Sequence, residues 1–150
     1  MSRRADILVR TPLGQPLALV EVKNLERFTK DNALELRDAL LQYGIDAIPY
    51  VMVVSQSTGY LWQLQAHRPE MTEYGQAQVL DMKPVFREYL TEVELGRHLR
   101  GAELELVLSH WLGDLARGHT QVLPQTQEEG PLSQFVADIR DAQIELETLT

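Results

Sequence analysis

The chain contains no cysteine. Disulfides and thiolate zinc centres are therefore excluded. No apolar run approaches the roughly 20 residues of a membrane-spanning helix. The opening residues, Met1-Ser2-Arg3-Arg4-Ala5-Asp6, lack the apolar stretch of a secretory signal. A cytoplasmic location is the expectation. Positive charge is also scarce: 14 Lys and Arg against 22 Asp and Glu give a formal net charge of −8. That balance argues against a general nucleic-acid binder. His98, His110 and His119 are 12 and 9 residues apart, so they lack the i,i+4 spacing of a helical metal pair. No internal repeat or low-complexity tract is present.

What is there suits one domain with an appendage. At 44% hydrophobic and 24% charged, 150 residues can bury a core of their own. The charge is uneven. Residues 1–30 carry six basic side chains (Arg3, Arg4, Arg10, Lys23, Arg27, Lys30) against three acidic ones (Asp6, Glu21, Glu26). A basic end around acidic residues fits phosphate contact. A solvated terminus with chance arginines gives the same count.

Asp6 to Lys23 is the most informative stretch. Two apolar runs, Ile7-Leu8-Val9 and Leu17-Ala18-Leu19-Val20, flank the turn formers Thr11-Pro12-Leu13-Gly14-Gln15-Pro16. That pattern predicts a β-hairpin. Residues two apart on a strand share a face. Asp6, Leu8 and Arg10 therefore share one side of the first strand. Glu21 and Lys23 point one way on the second, with Val20 and Val22 pointing into a core. Pairing about the Leu13-Gly14 tip brings Asp6 across from Glu21. Two carboxylates that close repel unless a cation sits between them. A hard ion such as Mg2+ takes one or two carboxylates with carbonyls and waters, and it supports hydrolysis of a phosphodiester. A neighbouring lysine can neutralise developing charge.

An Asp opening an apolar strand, then a turn, then an apolar strand ending Glu-x-Lys resembles the PD-(D/E)XK nuclease superfamily. The resemblance covers Asp6 and Glu21-Val22-Lys23 and continues more loosely to about Trp62. Val20-Glu21-Val22-Lys23-Asn24 is similar to the segment in restriction-type members, including the nuclease domains of type I restriction enzymes. The resemblance implies an α/β fold, with the mixed sheet of a restriction-endonuclease-like core flanked by helices. It implies Asp6 and Glu21 as ligands of Mg2+ or Mn2+, helped by the Val22 carbonyl, and Lys23 as the catalytic lysine. Arg4 and Arg10 would approach flanking phosphates. The chain also departs from the family pattern. Ala5 stands where a proline is usual, and Gln42 and Tyr43 are adjacent where the family has Gln-x-x-x-Tyr. The family core also begins with a further helix and strand before the Asp, and that helix often carries another acid.

Further along, Ala33, Leu36, Leu40 and Tyr43 predict a helix over 30–43, closed by Gly44. Tyr50-Val51-Met52-Val53-Val54 reads as a strand covered on both faces. Gln56-Ser57-Thr58-Gly59 is a turn, and residues 60–64 return as a strand. Tyr60 and Trp62 share a face there and suit packing better than base stacking. Residues 65–82 read as a loop. Helices are expected over 85–90 and 92–117, the second with Leu95, Leu99, Ala102, Leu106 and Leu115 on its buried face.

The expected organisation is a nuclease-like α/β domain over 1–118 and a linker over 119–130. A C-terminal amphipathic helix follows over 131–150. Phe135, Ile139, Ala142, Leu146 and Leu149 are spaced as a helix-pairing seam, which suggests a homodimer or a helix-mediated protein partner. Three functions suit these features. One is a metal-dependent deoxyribonuclease, in defence or repair. The second is a catalytically inactive, nuclease-like interaction module. The third is an α/β domain in which Glu21 and Lys23 are an edge-strand ion pair.

Overall fold

The computed structural model describes residues 6–23, 31, 35, 48–63, 77–127 and 129–146. Six strands form one mixed sheet: β1 (Ile7–Arg10), β2 (Pro16–Val22), β3 (Tyr50–Val54), β4 (Thr58–Gln63), β5 (Gln78–Asp81) and β6 (Gln143–Leu146). Their spatial order is β5-β4-β3-β2-β1-β6. Four helices are bounded within the described residues: α1 (Lys83–Tyr89), α2 (Glu92–Leu95), α3 (Gly101–Ala116) and α4 (Leu132–Asp138). The fold is α/β, and none of these helices is long and apolar enough to cross a membrane.

β1 and β2 form the expected hairpin, with Ile7 opposite Val20 and Leu8 opposite Leu19. Gly14 turns the chain with φ near 87°, a left-handed conformation that favours glycine. β2 then runs parallel to β3, pairing Ala18 with Tyr50 and Val22 with Val54. All five residues of β3 are buried, as a central strand covered on both faces requires. β3 and β4 close an antiparallel hairpin. The connection between the parallel pair lies largely outside the described residues. So does the helix expected over 30–43, of which Asp31 and Glu35 are described, both helical and exposed.

Alternation divides the sheet into two faces. Ile7, Val9, Val20, Val22, Met52, Val54, Leu61 and Leu80 share one face and belong to a single core cluster. Leu104, Val107, Leu108, Trp111, Leu112 and Leu115 of α3 complete that cluster. Their spacing of three and four is the helical period. Each such side chain contributes roughly 1.5–3 kcal/mol on burial. Asp6, Glu21 and Lys23 fall on the opposite face by the same alternation. Tyr60 and Trp62 are buried there and stacked, with ring centroids 6.3 Å apart.

Four expectations need correction. The stretch expected to be a loop over 65–82 ends in β5, a four-residue edge strand paired with β4. Four residues are too few for periodicity to register. The helix expected over 92–117 is broken. A capping box between Thr91 and Glu94 shapes the single turn of α2. The Leu99 amide donates to Gln56 Oε1 at 2.9 Å, so a tertiary bond takes the donor a continuous helix would use. Third, the buried face of α3 is out of phase with the expected one: Ala102 and Leu106 are exposed, whereas Leu104 and Leu108 are buried.

The fourth correction concerns the C-terminus. The amphipathic helix expected over 131–150 stops at Asp138. Asp141 adopts a positive φ of 62°, and its amide donates to the Ala116 carbonyl. The chain turns there and becomes β6, antiparallel to β1 with Ile144 opposite Val9. Ala142, Ile144 and Leu146 recur every second residue, so the same apolar positions also satisfy a strand. β1 has an open edge to accept them, which decides the outcome. Leu132, Phe135 and Ile139 bury into the main core instead of forming a free seam.

Candidate functional site

The β1–β2 hairpin sets the site. Past the Ile7–Val20 pair the ladder has run out, and Asp6 sits at the mouth of the two strands. Its Oδ2 accepts the Val22 amide at 2.7 Å, where a ladder carbonyl would otherwise serve. Val22 thus meets Asp6 through its N–H. One residue back, Glu21 is 2% exposed. Lys23 Nζ lies 3.2 Å from Glu21 Oε1, as the two-residue spacing on one face expects. The Lys23 amide continues the ladder to Val54 at 2.8 Å, which ties the lysine backbone to the end of β3. Asp6, Glu21 and Lys23 are therefore brought together, and the hairpin and the β3 ladder hold them.

A further acid joins them. Glu105, in the second turn of α3, is hydrogen-bonded to Asp6 and close enough to Glu21 and Lys23 to feel their charges. Burial raises its carboxyl to about 7, with the Asp6 charge and hydrogen bond adding to the rise, then the Glu21 charge; Lys23 opposes it. Sequence reasoning missed this residue because it phased α3 on Ala102 and Leu106. With Leu104, Leu108 and Leu112 as the buried stripe, Glu105 falls on the edge of that stripe. An acid at that border was the available signal.

Arg10 is not brought to the site. It closes the other end of β1, about 13 Å from Asp6 at the usual rise per strand residue. Its Nε lies 3.1 Å from Glu145 Oε2 on β6, and its Nη1 donates to the Gly14 carbonyl. Arg4 lies outside the described residues.

Carboxyl groups such as those of Asp6, Glu21 and Glu105 are the ligand type a hard divalent ion takes. Mg2+ needs only one or two carboxylates beside its waters. The site does not form a closed cage, however: among the described residues no group of three or more His, Asp or Glu is spaced to hold a metal ion. Asp6 is engaged by the Val22 amide and Glu21 by Lys23. Convergent acids must share a proton, a lysine or a metal. Here Lys23 pairs with Glu21, and the Glu105 carboxyl beside Asp6 is raised to about 7.

Elsewhere, polar contacts hold the fold together. The buried Tyr50 hydroxyl donates to Asp138 at 2.7 Å, and burial with that partner raises its pKa. Trp111 Nε1 donates to the Val122 carbonyl at 2.9 Å. No protein-family model, curated protein or solved structure matches this chain.

Proposed function

We propose that this chain is a metal-dependent phosphodiesterase acting on DNA, of the PD-(D/E)XK type. The observation that carries the reading is the convergence of Asp6, Glu21, Lys23 and Glu105 at one end of the sheet. Further support comes from β6 and α3. The resemblance expects a helix that often carries a further acid, and another strand, both ahead of Asp6 in the chain. β6 and α3 answer that description from later in the chain, and Glu105 is the acid. On this reading the elements missing before Asp6 would be supplied from later in the chain.

Asp6 and Glu21 are the residues that would hold Mg2+ or Mn2+, with Glu105 beside them. The metal supplies a more acidic bound water and charge stabilisation on a phosphate oxygen. Asp6 is held in place by the Val22 amide. Lys23 stands at the rim, more accessible than Glu21, where its ammonium can face a scissile phosphate while still compensating Glu21. Glu105 holds a proton near neutrality and can release it when a cation arrives.

The same contacts also suit a catalytically inactive interaction module, because Asp6 and Glu21 each already have a partner within the chain. The experiment that separates the two is a cleavage panel. Single-stranded, duplex and branched DNA and RNA are incubated with the full chain and Mg2+ or Mn2+. Cleavage that disappears in Glu21→Ala and with EDTA supports the enzyme. Divalent binding without cleavage of any substrate favours the inactive module. No divalent binding at millimolar concentration removes the nuclease reading.

A further inference from the structure

The end of the sheet that carries Lys23 continues beyond it. The Lys23 amide donates to Val54 at the end of β3. The chain then turns through Ser55, Gln56 and Ser57 into β4, whose Thr58 pairs with Asp81 at the end of β5. Lys83 follows as the first residue of α1. These residues therefore line one edge of the molecule. Neighbouring strands lie about 4.8 Å apart, so three spacings from β2 to β5 cover about 14 Å. At about 3.4 Å per nucleotide along one strand, that is the reach of about four nucleotides.

A cleft of about 270 Å³ opens at the far end, lined by Gln56, Ser57, Lys83, Phe86, Arg87 and Leu95. Its walls are fixed. Gln56 Nε2 donates to the Arg97 carbonyl at 2.8 Å, and its Oε1 accepts the Leu99 amide. The Met82 amide donates to the Ser57 carbonyl. The cations divide into two groups. Arg10, Lys23, Arg97, Arg100 and Arg117 each have a carboxylate partner. Among the described residues, Lys83, Arg87 and Arg140 have no such ion pair and are exposed, and of these three Lys83 and Arg87 line the cleft. Asp81 is nearby, but its Oδ1 accepts the Lys83 backbone amide. Lys83 and Arg87 stand four apart on one helix, where like charges cost a few tenths of a kcal/mol. A lysine in the first turn also opposes the helix dipole. Two uncompensated cations at the mouth of a preformed cleft, in an acidic chain, call for an anion.

We propose that Lys83 and Arg87 form a phosphate-contact subsite for a nucleic-acid strand that runs from Lys23 over the β3–β4 turn to this cleft. The identity of the strand rests on the phosphodiesterase reading; the subsite rests on the cleft and its cations. The test measures binding of the full chain to a short fluorescein-labelled DNA strand and to the matching duplex. EDTA is present, so no cleavage intervenes. Lys83→Ala/Arg87→Ala should weaken binding on the order of tenfold at low salt and lower the slope of log K against log salt by about 1 to 2. Arg10→Ala and Arg140→Ala should leave both unchanged. Lys83→Gln/Arg87→Gln, which keeps side-chain length, should repeat the loss, and all variants should melt as the wild type does. Wild-type affinity and slope in both double variants would overturn the proposal, as would failure of the wild type to bind either probe. If wild type never cleaves but binds through Lys83 and Arg87, the enzyme reading falls and the subsite stands. If the double variants cleave and bind as wild type does, the subsite falls and the enzyme reading stands.

Discussion

Glu105 on α3 is hydrogen-bonded to Asp6 at the head of β1. The contact joins a helix on one face of the sheet to the acidic cluster on the other. It also gives the cluster a proton that titrates near neutrality. Burial and the neighbouring acids raise Glu105 to about 7. A carboxyl whose folded pKa lies above its unfolded value stabilises the fold fully below the unfolded value. That contribution is lost as pH rises through the folded value. Wild-type melting temperature should therefore fall from about pH 4.5 to above pH 7 relative to Glu105→Gln, whose amide does not titrate. Thermal melts of both proteins across that range are the check, and parallel curves would contradict the assignment.

Asp6 has two roles that substitution can separate. Asp6→Ala removes the acceptor of the partly buried Val22 amide, at a cost of about 1–3 kcal/mol. Asp6→Asn keeps an acceptor oxygen there and should retain most of the stability. Both should lose metal-dependent cleavage, since neither supplies a carboxylate. Denaturant unfolding beside the cleavage assay distinguishes them. Equal destabilisation by Asn and Ala would mean that the amide contact contributes little.

Lys23 compensates a carboxylate that is 2% exposed. Lys23→Met should cost about 1–3 kcal/mol, chiefly by withdrawing a cation from the buried Glu21 charge. Glu21→Gln removes that charge, so the double variant should cost less than the sum of the single ones. If the substitutions prove additive in denaturant melts, the ion pair is not coupled. In the cleavage assay, Lys23→Met should lower the rate on the order of 10² or more if the ammonium stabilises the transition state as a fixed donor.

The C-terminal segment is part of the core. Phe135 meets Tyr50 edge to face, with ring centroids 5.2 Å apart, and is fully buried. Phe135→Ala should cost about 3–5 kcal/mol. That is a large part of the roughly 5–15 kcal/mol that stabilises a typical domain. Removal of residues 131–150 also strips β6 from β1 and should leave an unfolded or aggregating chain. Circular dichroism of the truncated protein reads this directly. A cooperative melt at the wild-type temperature would show that the segment is dispensable.

Much of the sheet could be read from residues alone. The β1–β2 hairpin announced itself through two apolar runs around Pro and Gly. β3 did so through five consecutive apolar residues, and β4 through the turn before it. These signals are local, because strand period and turn chemistry are written within a few residues. Asp6, Glu21 and Lys23 followed from them, since alternation and hairpin register fix which side chains meet. β5 and β6 could not be read in this way. Each is four residues long, and each exists because a partner strand offers an open edge. The break before α3 was equally hidden, because Gln56, far away in sequence, supplies the acceptor that holds the Leu99 amide.

The sequence by itself determined the hairpin, the central parallel strand and the acid–acid–lysine set, because short-range periodicity dictates faces and register. The tertiary structure alone decided that Glu105 completes the cluster, that Arg10 is committed to Glu145, and that the final apolar positions become a strand. Each of those outcomes is a competition between partners far apart in the chain. The hydrogen bond or burial that wins it does not exist until the sheet and α3 have packed together.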